Sequence, residues 1–133
     1  MDERQKSHFL SLYCMILADG IIDAKEMETL YEIASRNYGL TPEDVCQAVK
    51  EAGTSYYVPQ TLDEKVGLLY DMCLIAIADG TVDDSERRML QNYTRRMGFD
   101  ETNIDGIIDY LLKQARNNQS LKEVLNQIQG NHD

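Results

Sequence analysis

The stretch Ala18-Asp19-Gly20-Ile21-Ile22-Asp23-Ala24-Lys25-Glu26 returns sixty residues later as Ala78-Asp79-Gly80-Thr81-Val82-Asp83-Asp84-Ser85-Glu86. Each copy follows an apolar run and opens a new helical pattern. The glycine stands where a helix stops, because it takes a left-handed conformation without strain. Three residues on, an aspartate is placed to cap the next helix, and a glutamate follows at the third helical position. The chain therefore reads as a duplicated helix–turn–helix unit with three carboxylates around each turn.

The same punctuation extends outward. Thr41-Pro42-Glu43-Asp44 sets a hydroxyl before a proline at the first helical position. Thr61-Leu62-Asp63-Glu64 and Ser120-Leu121-Lys122-Glu123 have capping-box spacing. Gly39 and Gly98 mark two further helix ends. Together these signals predict seven helices at about 3–19, 23–37, 42–53, 62–79, 83–97, 101–116 and 121–128, and no strand. Apolar spacing agrees: Leu30, Ile33, Ala34 and Tyr38 form one stripe, and Ile104, Ile107, Ile108, Leu111 and Leu112 another. The first and fourth helices are apolar on nearly every side, from Phe9 to Leu17 and from Leu68 to Ile77, so they should form the buried centre. The expected fold is all-α: one domain over 1–133, with repeat one at about 5–53, repeat two at about 62–116, a C-terminal helix at about 120–128, and a pseudo-two-fold between the repeats. The connector from Gly53 to Gln60, with Tyr56 and Tyr57, should pack over the junction.

Composition narrows the function. The net charge is −10 in 133 residues. It divides evenly, with 5 basic and 10 acidic residues in 1–60 and 8 against 13 in the remainder. An acidic surface over both halves opposes nonspecific nucleic-acid binding and anionic membranes, and permits cations or basic protein partners. The N-terminal residues lack the basic-then-apolar pattern of a signal peptide. No apolar run reaches the roughly 20 residues needed to span a bilayer. Cys14, Cys46 and Cys73 each lie in an apolar-periodic stretch and read as buried free thiols in a reducing cytoplasm.

The acidic turns carry the only hint of chemistry. Asp19-Gly20-x-Ile22-Asp23-x-x-Glu26 matches the back half of an EF-hand calcium loop, and the second copy does the same. The front half fails, since the first and third loop positions would be Met15 and Leu17, or Ile75 and Ile77. A standard EF-hand is excluded in both copies. Asp19 and Asp79 are expected in the last turn of their helices, where a negative charge meets the negative end of the dipole at a cost of about 0.3–1 kcal/mol. Two remedies stand open. Each aspartate can accept backbone N–H groups of the next turn, or a hard cation can neutralise the cluster. Oxygen ligands alone would favour calcium, magnesium or manganese. The candidate metal ligands are thus Asp19, Asp23, Glu26, Asp79, Asp83 and Glu86.

Enzymatic chemistry is poorly provided for. No histidine is expected near these acids, no nucleophile has a base at hand, and there is no glycine-rich phosphate loop. Asp71 interrupts the apolar fourth helix and is expected either on its exposed side or in the acidic cluster. Arg87, Arg88, Arg95 and Arg96 should form a solvated face paired with nearby acids.

The duplicated Ala-Asp-Gly-x-[Ile/Val]-Asp-x-x-Glu motif, each copy after an apolar helix, resembles the tellurite-resistance TerB family. It is also similar to the N-terminal region of DjlA-type membrane-anchored co-chaperones. The resemblance covers about residues 5–116. It implies an all-α fold of about seven helices, an acidic cluster proposed to bind divalent cations, and no organic cofactor. It further implies a stress-response or phage-defence role in bacteria with a protein partner, often membrane-associated. Carried over by position, the acids are Asp19, Asp23 and Glu26, then Asp79, Asp83 and Glu86.

Overall fold

The computed structural model describes residues 2–18, 20–52 and 57–129. Among these residues seven α-helices run in order: α1 Glu3–Ile16, α2 Ala24–Tyr38, α3 Pro42–Ala52, α4 Leu62–Ala76, α5 Asp84–Arg96, α6 Ile104–Arg116 and α7 Leu121–Gln129. One 3₁₀ turn, Glu101–Asn103, leads into α6. There is no strand among the described residues, and the chain is a single all-α domain.

Helix starts follow the caps. The Asp44 N–H donates to Thr41 Oγ1, the Glu64 N–H to Thr61 Oγ1, and Ser120 and Glu123 exchange bonds in both directions. Each satisfies N–H groups that the first helical turn cannot pair internally. The stops differ from expectation after α1 and α4. Both helices end three residues sooner than expected, at Ile16 and Ala76. The chain then tightens, with the Gly20 N–H donating to the Leu17 carbonyl and the Gly80 N–H to that of Ile77, both at 2.9 Å. Leu17 and Ile77 make the last bonds of helical spacing, to Tyr13 and Cys73, and Ala18 and Ala78 carry the apolar run past them, so hydrophobicity overstated the helix.

α4 is the axis. Ten of its 15 residues are buried, and it touches α1, α2, α5, α6 and α7. α1 lies against it through Phe9, Leu12, Met15 and Ile16, all buried, and α3 covers the other side of α1. The stripes on α2 and α6 close the core, with Leu30, Ile33, Ala34, Ile108, Leu111 and Leu112 buried. Val124 of α7 completes it. Gly53–Tyr56 lie outside the described residues, so the expectation for Tyr56 is not addressed. Tyr57 does pack near the junction, its N–H donating to Ser7 Oγ and its ring under the Arg4 guanidinium.

Two expectations are corrected. Cys46 is exposed on α3, whereas Cys14 is half-buried and Cys73 buried. Val45 and Ala48 supply the inward face of α3, and Cys46 falls one step outside it. Asp71 is on no exposed side: it is 0% exposed, because α4 is covered all round. Two of the four arginines of the basic cluster pair with acids as expected. Arg87 pairs with Asp105 and Asp109, and Arg95 forms a two-pronged contact with Glu101.

Glycine chemistry gives a paired prediction. Gly80 has φ +101°, yet a Cβ there would meet nothing within 4 Å. Gly106 lies inside α6 and would likewise meet nothing within 4 Å. Gly80→Ala should therefore cost about 1–2 kcal/mol through backbone strain alone. Gly106→Ala should add about 0.5–1 kcal/mol of stability. Urea unfolding of both variants checks the opposite signs.

Candidate functional site

The two acidic turns join α1 to α2 and α4 to α5. Asp79 stands beyond α4, three residues past its end, so the expected clash with the helix dipole does not arise there. Its Oδ1 instead accepts the Thr81 N–H at 3.1 Å, the Asx-turn remedy. Asp19 lies outside the described residues.

The caps form at both turns, but not alike. Asp23 Oδ1 accepts N–H groups from Lys25 and Glu26 at 2.8 and 3.1 Å. Asp83 Oδ1 accepts the Glu86 N–H at 2.8 Å, and Glu86 Oε1 accepts the Asp83 N–H at 3.0 Å, a complete capping box. Glu26 Oε2 is buried and has no hydrogen-bond partner. The Glu26 side chain meets Glu86 instead.

This pairing of Glu26 with Glu86 was not legible in the spacing. Both side chains are only 3% exposed. Two ionised carboxylates cannot share such a place, so a proton bridges them. Burial is the main cause that pushes the Glu26 carboxyl up to about 9 from 4.5; the hydrogen bond and charge of Glu86 add to it, then the charges of Asp79 and Asp23. Burial raises Glu86 as well, although the bond from Glu26 and the Asp83 N–H pull it back. The two titrate as a unit, with Glu26 the donor. The sequence thus placed six acids at two turns, and the structure brings one from each into a buried contact. Asp79 is exposed, while Asp23 and Asp83 are half-buried.

Among the described residues, no three histidine, cysteine or carboxylate side chains converge closely enough to hold a metal ion. The nearest approach to a ligand set is this pair, with Glu26 Oε2 lacking any donor and Asp79 and Asp23 close enough for their charges to act on it. Replacing the bridging proton by a cation would satisfy that oxygen and both charges at once.

A second polar group was missed altogether. His8 Nε2 on α1 lies 2.8 Å from Asp71 Oδ2 on α4. The Tyr38 hydroxyl, at the end of α2, is 3.2 Å from His8 Nε2 and 3.5 Å from the same Asp71 oxygen. With Asp71 as the carboxylate, Nε2 carries the proton and donates, so the Tyr38 hydroxyl donates to Asp71. Burial first, and then the charge of Asp71, hold the Tyr38 phenol well above its ordinary range. A histidine does meet an acid here, though not one of the turn acids.

No family model, curated protein or solved structure matches this chain.

The shared proton has a thermodynamic signature. Between pH 4.5 and about 9 the folded chain holds a proton on Glu26 that the unfolded chain has released. Its stabilisation is complete below that window and lost as pH rises through it, with a slope approaching about 1.4 kcal/mol per pH unit. Glu26→Gln should remove this slope and raise stability at the alkaline end. Denaturant unfolding across that range, wild type beside variant, provides the check.

Proposed function

We propose that this chain is a non-enzymatic TerB-like stress-response module that binds a divalent cation weakly at its acidic cluster and docks a partner protein. The carrying observation is the buried Glu26–Glu86 pair with its unpartnered Glu26 Oε2. Calcium, magnesium or manganese suits a set made only of carboxylate oxygens. Glu26 and Glu86 would be the inner ligands, with Asp79, Asp23 and Asp83 around them and Asp19 carried over from the resembled motif. Such an ion supplies charge neutralisation; no reaction is assigned to it.

Docking has its own support. Beside the first turn, Leu17, Ile21 and Ile22 are 39%, 68% and 56% exposed. The second turn has Thr81 and a half-buried Val82 in the places of Ile21 and Ile22. Apolar side chains next to acids suit a partner with basic and apolar groups. In the resembled family such partners are often membrane-associated. No helix here is long and apolar enough to cross a membrane, among the described residues.

A metal-independent interaction domain is the rival reading. It is favoured by the amide partners of Asp23, Asp79 and Asp83, which cap the turns without any ion. Thermal unfolding separates the two. A cation at one hundred times its Kd should stabilise by about 2.7 kcal/mol. Calcium, magnesium or manganese should raise the midpoint, and Glu26→Gln combined with Asp79→Asn should abolish the rise. If the ions do no more than sodium chloride of equal ionic strength, the rival holds.

A further inference from the structure

A cleft of about 430 Å³ opens between α4, α6 and α7, a size within the range of small-molecule sites. Leu62, Val66 and Leu69 line it from α4 and Ile107 from α6, and Phe99 and Ile128 complete it. Solvent reaches it, since Leu62 is 44% exposed and Phe99, Ile107 and Ile128 are half-exposed. In a chain that is 27% charged, no charged side chain lines this cleft among the described residues. The hydroxyl of Tyr110, which also lines it, is already donated to Gln127 Oε1 at 2.7 Å. The lining therefore suits an apolar chain rather than a hydrogen-bonding ligand.

Two features mark the cleft as more than a gap in packing. Gly106 lines it from inside α6. A glycine within a helix is destabilising relative to alanine, and packing does not call for one, because a Cβ there would meet nothing within 4 Å. Its missing side chain keeps the cleft open. Lys65, half-buried on α4, stands beside it, with Nζ 5.7 Å from the centre of the Phe99 ring. No carboxylate pairs with this ammonium among the described residues. The acids adjacent in sequence to the lining are engaged elsewhere: Asp63 accepts from Gln129, Glu101 is held by Arg95, and Asp105 by Arg87 and Gln91. A cation without an anion thus borders a chamber without charge.

We infer that this cleft binds an alkyl carboxylate, its hydrocarbon chain among the apolar side chains and its carboxylate on Lys65 Nζ. The chain gains by leaving water, and the head forms a charge-assisted hydrogen bond with the ammonium. The net charge of −10 opposes an anion at long range. That field is screened beyond about 8 Å at physiological ionic strength, so the neighbouring cation decides which head group is taken. This site is separate from the Glu26–Glu86 pair and does not depend on cation binding there.

Hexanoate, octanoate and decanoate, titrated against the full chain below their micelle concentrations and followed by amide chemical shifts, test the inference. Octylammonium chloride, with the chain of octanoate and the opposite charge, is the control, and the overall charge of the protein favours it. The expected result is saturable shifts on α4, α6 and α7, with octanoate bound more tightly than octylammonium. Affinity should rise about fourfold for each added methylene, the fold-change that about 0.8 kcal/mol per buried CH₂ gives. Lys65→Gln should weaken octanoate by about fivefold, as loss of a solvent-accessible ion pair does, and remove its advantage over octylammonium. Gly106→Leu, which puts a side chain into the cleft, should abolish binding while urea unfolding shows the variant folded. Non-saturating shifts, affinity independent of chain length, octylammonium bound as tightly as octanoate, or undiminished binding in Gly106→Leu would each overturn the assignment.

Discussion

The burial of α4 on every side is the constraint from which the rest follows. A helix in that position must be apolar all round, and from Val66 to Ala76 α4 obeys, its charged first turn, Asp63 to Lys65, lying outside the buried part. It then dictates where its neighbours lie: α1, α2, α5, α6 and α7 all pack against it. The turn that follows α4 is held next to the turn that follows α1, because both helices run through the same core. Carboxylates that are sixty residues apart in the chain are thereby forced into one place. Asp71 is the exception that α4 tolerates, and it does so only with His8 and Tyr38 drawn in from two other helices.

The helices were legible because their signals are local. A cap, a first-turn acid, a stripe and a terminal glycine all act within a few residues, so the starts at Pro42, Leu62 and Leu121 agree with the reading. The ends of α1 and α4 were overextended for a physical reason. Ala18 and Ala78 continue the apolar pattern after the backbone has left the helix, and periodicity alone does not register a lost hydrogen bond. Cys46 shows the converse limit: beside Val45, a single residue's rotation on α3 separates buried from exposed. The site was half legible. That each turn gathers acids could be read directly; that Glu26 abandons its cap to meet Glu86 could not, since it depends on the angle between two helix pairs. The contacts of Asp71 span 63 and 33 residues and leave no trace in spacing.

The two turns show how near-identical sequences take different roles. Asp23 and Asp83 both cap their helices, yet Glu86 completes its box and Glu26 does not. If both glutamates reached back to their caps, each would be satisfied locally and nothing would cross between the turns. If neither did, two bare carboxylates would face each other. The observed asymmetry is the arrangement in which one carboxyl donates and the other accepts. Glu86 keeps its backbone N–H, which favours its charge, and Glu26 takes the proton.

That division bears on how an acidic domain handles its own charge. Several of the surface acids find local relief: Asp100 and Glu123 are held below the ordinary carboxylate range by neighbouring N–H groups, Glu101 by Arg95, and Asp105 by Gln91 and Arg87. Glu26 has neither remedy. It faces a like charge in a place shielded from water, where removing each carboxylate from solvent costs several kcal/mol. Only a positive centre between the two oxygens resolves that geometry, and the centre is either a proton or a metal ion. A proton satisfies one charge and leaves Glu26 Oε2 bare; a divalent ion satisfies both charges and gives that oxygen a partner. The pair therefore joins α2 to α5 through one proton, and any cation bound there, as the proposed function would require, would have to displace that proton.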